Sequence, residues 1–231
     1  MPFEREIDQF LGFIERQVSA ADQLAEGVHC KILLCCLLDT LSRARYGRGV
    51  SNQKRLTELV EEHTTWPAWH SISLPQLAYL LRRDPTGRNS PSLRTVDADV
   101  RSWETSTLRY ARNDRTLAEV AAMVSVEDHA KALKQAMHVQ LFYSYRTTLV
   151  HEFREPGYPF EIPDDPPEPY YSHMTSLGQE PEESWELTYP RGFFLTVLRE
   201  AVDSLRKYWA ENPTNPYEAY DFQTLWYGRL K

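Results

Sequence analysis

Apolar residues recur every three or four positions along most of the first third of the chain, which is the spacing of amphipathic helices. The pattern predicts four helices, over residues 3–24, 28–46, 52–63 and 74–81. The second is apolar around most of its circumference, as is typical of the central helix of a bundle. Ser73 precedes Pro75 and is predicted to cap the fourth helix. This part of the chain therefore predicts a helical bundle.

The middle of the chain carries a weaker pattern. Residues 84–95 contain two prolines and a glycine and are predicted to form a loop. Between 96 and 126 one or two short helices are expected, with Asp97 and Ser125 as candidate N-caps. From Glu127 the helical spacing returns and predicts one helix that runs on into the segment 143–157.

The composition changes after residue 156. Six prolines fall within 156–169, too many for a helix or a central strand, and they predict an extended connector. Residues 170–175 and 184–189 mix aromatic and polar side chains on either side of a glycine-containing turn and predict a β-hairpin. Helical spacing over 190–210 predicts the last long helix.

These elements predict an all-α fold, a helical bundle with a Pro-rich connector and a small β-hairpin inserted before the last long helix. A chain of 231 residues, 42% of them hydrophobic, is long enough to bury a core of its own. We therefore expect a single helical domain over residues 1–231, in which 156–189 is an acidic, Pro-rich connector plus hairpin insertion.

Composition also bears on location and on cofactors. No window approaches the roughly 18 consecutive apolar residues that a membrane-spanning helix needs, and the first residues are polar, so we expect a cytoplasmic protein with no membrane partner. Cys30, Cys35 and Cys36 crowd one apolar helix and are expected to be buried thiols. No second Cys/His cluster accompanies them, so neither a metal nor another cofactor is predicted.

Charge is distributed unevenly. The chain carries a net charge of −7, but residues 152–186 hold ten acids against one base, so the remainder has a net charge of +2. Its bases are mostly arginine, and one cluster comprises Arg43, Arg45, Arg48, Lys54 and Arg55. The planar fork of arginine suits phosphate or carboxylate, so the cluster is a candidate surface for a polyanion. The alternative is a solvated face paired with nearby acids.

The sequence lacks several common catalytic motifs, and one pair of residues remains as the candidate for catalysis. Glycine-rich phosphate loops, the H-E-x-x-H zinc motif and the G-x-S-x-G nucleophile motif are absent from the sequence. Arg146 and His151 remain. Cleavage of RNA through its 2′-hydroxyl requires a group that moves protons near neutral pH and a cation that stabilises the phosphate, and this residue pair supplies both without a metal.

The spacing of this pair restricts how the two side chains can act on one phosphate. Five residues on a regular helix separate two side chains by about 140° and about 7.5 Å along the axis. Arg146 and His151 therefore do not share one helix face. To act on one phosphate they need a bend, long side-chain reach, or a second copy of the helix across a dimer interface.

Arg146-x4-His151, at the end of an apolar helix in an all-α chain, resembles the R-x4-6-H motif of the HEPN superfamily, the helical domains of many prokaryotic RNase toxins and defence proteins. The resemblance implies a homodimer with a composite cleft and a metal-independent endoribonuclease activity. It also implies that Arg146 binds the scissile phosphate and that His151 is the general acid or base. Thr147 takes the position where the family often has Asn, Asp or His.

Further substrate contacts are expected beside this pair. Tyr143 and Tyr145 are candidates for stacking on bases, and Thr147 is grouped with them as a substrate-binding residue. A structural interpretation is also open, in which Arg146 pairs with Glu152 or Glu155 and His151 caps the helix. The protein is then a non-catalytic dimerisation or interaction module whose partner is an antitoxin or another protein.

Overall fold

The computed structural model describes residues 2–157, 161, 167–175 and 183–220. Of these described residues, 64% are helical and 9% lie in strands, which confirms the mostly helical class. It divides into two compact units, which we call the terminal unit (Met1–Thr65 with the segment from Phe194 onward) and the central unit (Trp66–Phe193). The single domain over residues 1–231 stays a prediction, because compactness does not decide whether the units fold independently.

The elements of the described residues follow the chain in order. The helices are α1 (Glu4–Ala21), α2 (Gly27–Tyr46), α3 (Asn52–His63), α4 (Leu74–Arg83), α5 (Pro91–Arg101), α6 (Leu117–Ala121), α7 (Val126–Ala136), α8 (His138–Glu152) and α9 (Arg191–Glu211). The strands are β1 (Ser71–Ile72), β2 (Arg109–Tyr110), β3 (Arg115–Thr116), β4 (Tyr170–Thr175) and β5 (Glu183–Thr188). Short 3-10 helices lie at Ala111–Asn113 and Pro216–Ala219.

The first four predicted helices and the last one are confirmed, and local signals mark the ends of some of them. Ser51 caps α3 by accepting a hydrogen bond from the Lys54 amide at 3.3 Å, and Ser73 caps α4 in the same way. α2 ends at Gly47, whose positive φ of 77° favours glycine. No helix in the described part of the chain has the length and apolar character that spanning a bilayer requires.

Strands in the central unit make the all-α prediction incomplete. The predicted β-hairpin is confirmed as β4 and β5, which pair antiparallel with His173 opposite Trp185. β2 extends the hairpin to a three-stranded sheet, and β1 pairs with β3 in a second, two-stranded sheet. Strands of two residues carry no periodicity, so the sequence does not predict them. Most of the Pro-rich connector lies outside the described residues.

The prediction of one helix from residue 127 into the segment 143–157 is wrong, because the structure has two helices there, α7 and α8. Met137 between them is extended (φ −65°, ψ 137°). The Ser73 amide donates to the Ala136 carbonyl, and the Val139 amide donates to the Trp69 carbonyl, each at 2.9 Å. These partners outside the helix take hydrogen bonds that a continuous helix would keep for itself.

Three smaller predictions are also corrected. The loop predicted to reach residue 95 ends at Ser90, which caps α5, because Pro91 suits the first turn of a helix. Asp97 lies inside α5 and is not a cap, whereas Ser125 caps α7 as predicted. Cys36 is exposed, because its position on α2 faces away from the buried side that holds Cys30 and Cys35.

A buried histidine joins α3 to α9 in the terminal unit. Nε2 of His63 accepts a hydrogen bond from Arg45 Nε at 3.3 Å, which leaves Nδ1 to donate to Ser204 Oγ at 3.0 Å. Burial, together with the nearby Arg45 charge, lowers the pKa of His63 below its ordinary value of 6.5, although Glu62 opposes this. The folded state therefore holds His63 in its neutral form.

This histidine predicts a pH dependence of stability. Below pH 6.5 the unfolded chain binds a proton at His63 more readily than the folded chain does, so the free energy of unfolding falls as pH decreases through that value. We expect His63→Gln to have a smaller slope than wild type on the acid side, measured by urea denaturation over a pH series. Equal slopes in the two proteins would contradict this account.

Candidate functional site

A buried polar network fixes the beginning of α8 in the central unit. The Asp114 carboxylate accepts a hydrogen bond from the Tyr171 hydroxyl at 2.5 Å and lies 2.8 Å from Nε2 of His138, the first residue of α8. Because an ionised carboxylate can only accept, Nε2 is the donor. The Tyr189 hydroxyl donates to the His138 carbonyl at 3.2 Å, and Arg109 Nε lies 3.6 Å from Asp114 as a countercharge. One carboxylate therefore ties β4 to α8.

The two tyrosines of this network act as permanent donors. Burial and the nearby Asp114 charge raise the pKa of both Tyr171 and Tyr189 well above the ordinary value of 10.0. Both phenols therefore stay protonated across the physiological range. The carboxylate would otherwise be buried without compensation, which is costly, so the protonated phenols stabilise the network.

Aromatic rings complete the packing around the first turns of α8. The Trp66 ring centroid lies 6.0 Å from those of His138 and Phe142 and 4.8 Å from that of Phe193. Tyr145, one turn after Phe142, packs against Tyr189 at 5.0 Å. Edge-to-face contacts of this kind add to the apolar burial, and they fix the rotation of α8 about its own axis.

The orientation of α8 about its own axis determines what surrounds the predicted catalytic residues Arg146 and His151. Residues 138–152 form one uninterrupted helix, so the angle expected between Arg146 and His151 applies. Arg146 is only 5% exposed and makes contacts within the chain, whereas His151 is exposed in the last turn. The structure therefore brings the two residues onto one helix but not into one environment.

Two of the predicted substrate-binding residues form hydrogen bonds within the chain. Tyr145 is buried, and its hydroxyl donates to the Glu155 carboxylate. The Thr147 hydroxyl donates at 2.9 Å to the carbonyl of Tyr143 one turn earlier, and Tyr143 itself is half-buried. A hydroxyl bonded to the preceding turn is not aimed at a ligand, so the hydroxyls of Tyr145 and Thr147 are engaged within the chain in this conformation.

The end of α8 presents an aromatic ring to solvent. Phe153 caps the helix in a left-handed conformation (φ 56°, ψ 30°) with its amide donating to the Leu149 carbonyl at 3.2 Å, and its side chain is 71% exposed. Bulky residues rarely adopt this conformation, which costs roughly 1–2 kcal/mol. Beside it, Arg154 forms an ion pair with Glu152 at 2.6 Å. The exposed end of α8 therefore carries His151, an aromatic ring and a charged pair.

A cavity of about 890 Å³ lies in the central unit. α4, α5, α8 and the hairpin line it, and α8 contributes Leu141, Ser144, Tyr145 and Thr148. Of the five residues predicted for the site, only Tyr145 is among the lining residues, so the cavity is distinct from the exposed surface at His151. Sequence reasoning missed both the cavity and the Asp114 network, since their residues come from segments far apart in the chain.

Comparison with protein-family models, curated proteins and solved structures finds no match. Within the described ranges, no three His, Cys, Asp or Glu side chains are grouped so that they could hold a metal ion. The function is therefore inferred from side-chain chemistry and from the geometry of α8.

The turn after α8 generates a prediction about Gly157. Its φ is +70°, and a Cβ at this position would overlap the Glu186 carboxylate as that side chain now lies. We expect Gly157→Ala to lower the free energy of unfolding by about 1–2 kcal/mol, because the positive φ disfavours a side chain, whereas the flexible Glu186 side chain can move away. Urea denaturation measures the change.

The double variant Gly157→Ala/Glu186→Ala separates the two causes. Removing the carboxylate relieves the contact but not the positive φ, so we expect it to restore little of the loss. If Gly157→Ala alone were as stable as wild type, Gly157 would have no role in this turn.

Proposed function

We propose that this protein is a metal-independent endoribonuclease of the HEPN type that acts as a cytoplasmic toxin or antiviral defence effector. In this proposal Arg146 and His151 act together at a composite site in a homodimer. One observation carries it: on a single regular helix, Arg146 is buried while His151, five residues later, is exposed in the last turn. Within one chain the two side chains lie in different surroundings, so a second chain is needed to complete a site that contains both.

Each side chain suits a defined step of RNA cleavage. Histidine moves protons near neutral pH and, as an exposed residue, His151 can receive a substrate. It would take the proton from the attacking 2′-hydroxyl or give one to the leaving 5′-oxygen. The new bond joins the 2′-oxygen to phosphorus as the bond to the 5′-oxygen breaks. The products are a 2′,3′-cyclic phosphate and a free 5′-hydroxyl.

The burial of Arg146 suits electrostatic stabilisation. A guanidinium held by its surroundings is preorganised, which makes it more effective towards charge that develops on a phosphate. The exposed ring of Phe153, two residues after His151, supplies apolar surface that a second chain could cover. A two-fold axis near the end of α8 would then bring Arg146 of one protomer towards His151 of the other.

The burial of Arg146 also supports a second candidate function. Arg146 has contacts within the chain, and Tyr145 and Thr147 are engaged with Glu155 and with the helix backbone. These contacts also suit a non-catalytic module, in which the end of α8 mediates dimerisation or binds an antitoxin or another protein. RNA cleavage distinguishes the two functions.

The exposed histidine provides the direct test. We expect the purified protein to cleave single-stranded RNA in the presence of EDTA, and His151→Ala to lower the rate by at least about 100-fold, the usual loss on removing a general acid or base. Denaturing gel electrophoresis of labelled RNA measures the cleavage.

His29→Ala is the matched control, because His29 is likewise exposed and lies on α2. It should cleave at the wild-type rate, and circular dichroism should show both variants folded. Cleavage that survives in His151→Ala would exclude this histidine from the reaction. Wild-type protein that dimerises but cleaves no RNA would favour the non-catalytic module.

A further inference from the structure

A cavity of about 550 Å³ lies in the central unit, apart from the larger one described above. Its walls are formed by the loop before α5, the first turn of α5 and the segment that leads into α7. Four of its eight lining residues are serine or threonine, and none of the eight lies on α8. The cavity is therefore polar and separate from the proposed RNA site.

Three serine hydroxyls are held in this cavity by backbone amides. Ser90 Oγ accepts from the Leu93 amide at 3.1 Å, Ser92 Oγ from the Ser125 amide at 3.4 Å, and Ser125 Oγ from the Asp128 amide at 3.5 Å. A hydroxyl that accepts a hydrogen bond still has its own hydrogen to donate. Within the described residues, none of the three hydroxyls donates to a protein acceptor. Three fixed donors are thus present in one cavity.

A buried histidine adds a fourth donor. His129 lines the cavity and is only 5% exposed. In the part of the chain that the structure describes, its ring forms no hydrogen bond, and its Nδ1 atom is buried. Nearly all buried polar groups have a partner, because a buried group without one costs stability. A neutral imidazole carries one N–H, so this unpartnered ring points to a ligand that accepts from it.

The beginning of α5 adds positive potential to the cavity. The N-terminus of a helix carries a partial positive charge, and the first turn of α5 contains no acidic residue that would offset it. In the loop before α5, the Asp84 carboxylate accepts from the Thr86 amide at 2.9 Å and from the Thr86 hydroxyl at 2.7 Å, so this acid is engaged within its own loop. The hydroxyls, the imidazole and the end of the helix together favour an anionic group.

Phosphate matches these donors better than a carboxylate does. A phosphate group offers three strong acceptor oxygens, whereas a carboxylate offers two. The size of the cavity is typical of sites for small organic molecules, and a single ion needs much less room. Asp128, an exposed lining residue at the beginning of α7, can only accept when ionised. It would repel a bare phosphate ion but would accept from a hydroxyl on the same ligand.

We propose that this cavity binds a small phosphate ester that carries free hydroxyl groups, such as a sugar phosphate or a nucleoside monophosphate. Ser90, Ser92 and Ser125 donate to the phosphate oxygens. His129 adds an N–H, and Asp128 accepts from a ligand hydroxyl. The inference does not depend on the ribonuclease function proposed above, because it uses none of the residues of that site.

Isothermal titration calorimetry on the full chain tests the proposal with four probes: ribose 5-phosphate, adenosine 5′-monophosphate, adenosine and inorganic phosphate. We expect at least one of the two esters to bind more tightly than inorganic phosphate, and adenosine to bind at least about tenfold more weakly than its monophosphate, because it lacks the charged acceptor. The ester that binds more tightly shows whether the cavity takes sugar phosphates or nucleotides.

Three results of these titrations would overturn the proposal. One is that neither ester binds. Another is that inorganic phosphate binds as tightly as both esters, since the cavity would then take the ion alone. The third is that adenosine binds as tightly as its monophosphate, since the phosphate would then contribute nothing.

Ser125→Asp separates ligand binding from helix capping. Aspartate caps a helix as serine does, but when ionised it has no hydrogen to donate and it brings a negative charge to the cavity. We expect this variant to be folded by circular dichroism and to bind the tighter ester at least about tenfold more weakly. Ser51→Asp is the matched control, because Ser51 is an exposed cap of α3 that does not line the cavity. Equal affinity in the two variants would contradict the proposal.

His129→Leu provides a second test that also measures stability. The substitution replaces an unpartnered buried ring by an apolar side chain, so the free energy of unfolding in urea should not fall, while the affinity for the ester should. A histidine that only supports the fold would give the opposite result, a less stable protein with unchanged affinity. Wild-type affinity in folded His129→Leu would overturn the proposed site.

Discussion

The buried carboxylate of Asp114 is the constraint on which the central unit depends. It accepts from Tyr171 on β4 and pairs with His138 at the start of α8, while Tyr189 after β5 returns a hydrogen bond to the His138 carbonyl. A carboxylate buried with a partner missing would be strongly destabilising, so these contacts are made together or not at all. They fix where α8 begins. Because α8 is a regular helix of fifteen residues, they also fix the position of its exposed last turn.

The placement of α8 has a direct consequence for the proposed ribonuclease function. α8 is a regular helix, so Arg146 and His151 lie on different faces of it, and the network and aromatic packing at its first turns fix which face is buried. One side chain is buried and the other exposed, so the proposed ribonuclease needs a second chain.

Local signals account for what the sequence could predict. Ser51 and Ser73 mark helix starts because a cap is a contact with the next turn, and the hairpin of β4 and β5 is likewise formed by neighbours in the chain. Met137 interrupts a helical stripe because distant backbone groups bond to its neighbours, which no local pattern reveals. The Asp114 network was missed for the same reason, since its members lie at 114, 138, 171 and 189. The pair Arg146 and His151 could be named from spacing, but their burial could not.

Mixing two inactive variants tests most directly whether the site is shared between chains. Arg146→Ala and His151→Ala should each be inactive alone, with circular dichroism and size-exclusion chromatography showing folded dimers, and Arg146→Lys serving if Arg146→Ala unfolds. In a two-fold dimer, mixing gives about half heterodimers with one intact site each, so roughly a quarter of wild-type RNA cleavage should return. A mixture of folded, exchanging dimers that remains inactive would contradict a site built from Arg146 of one protomer and His151 of its partner.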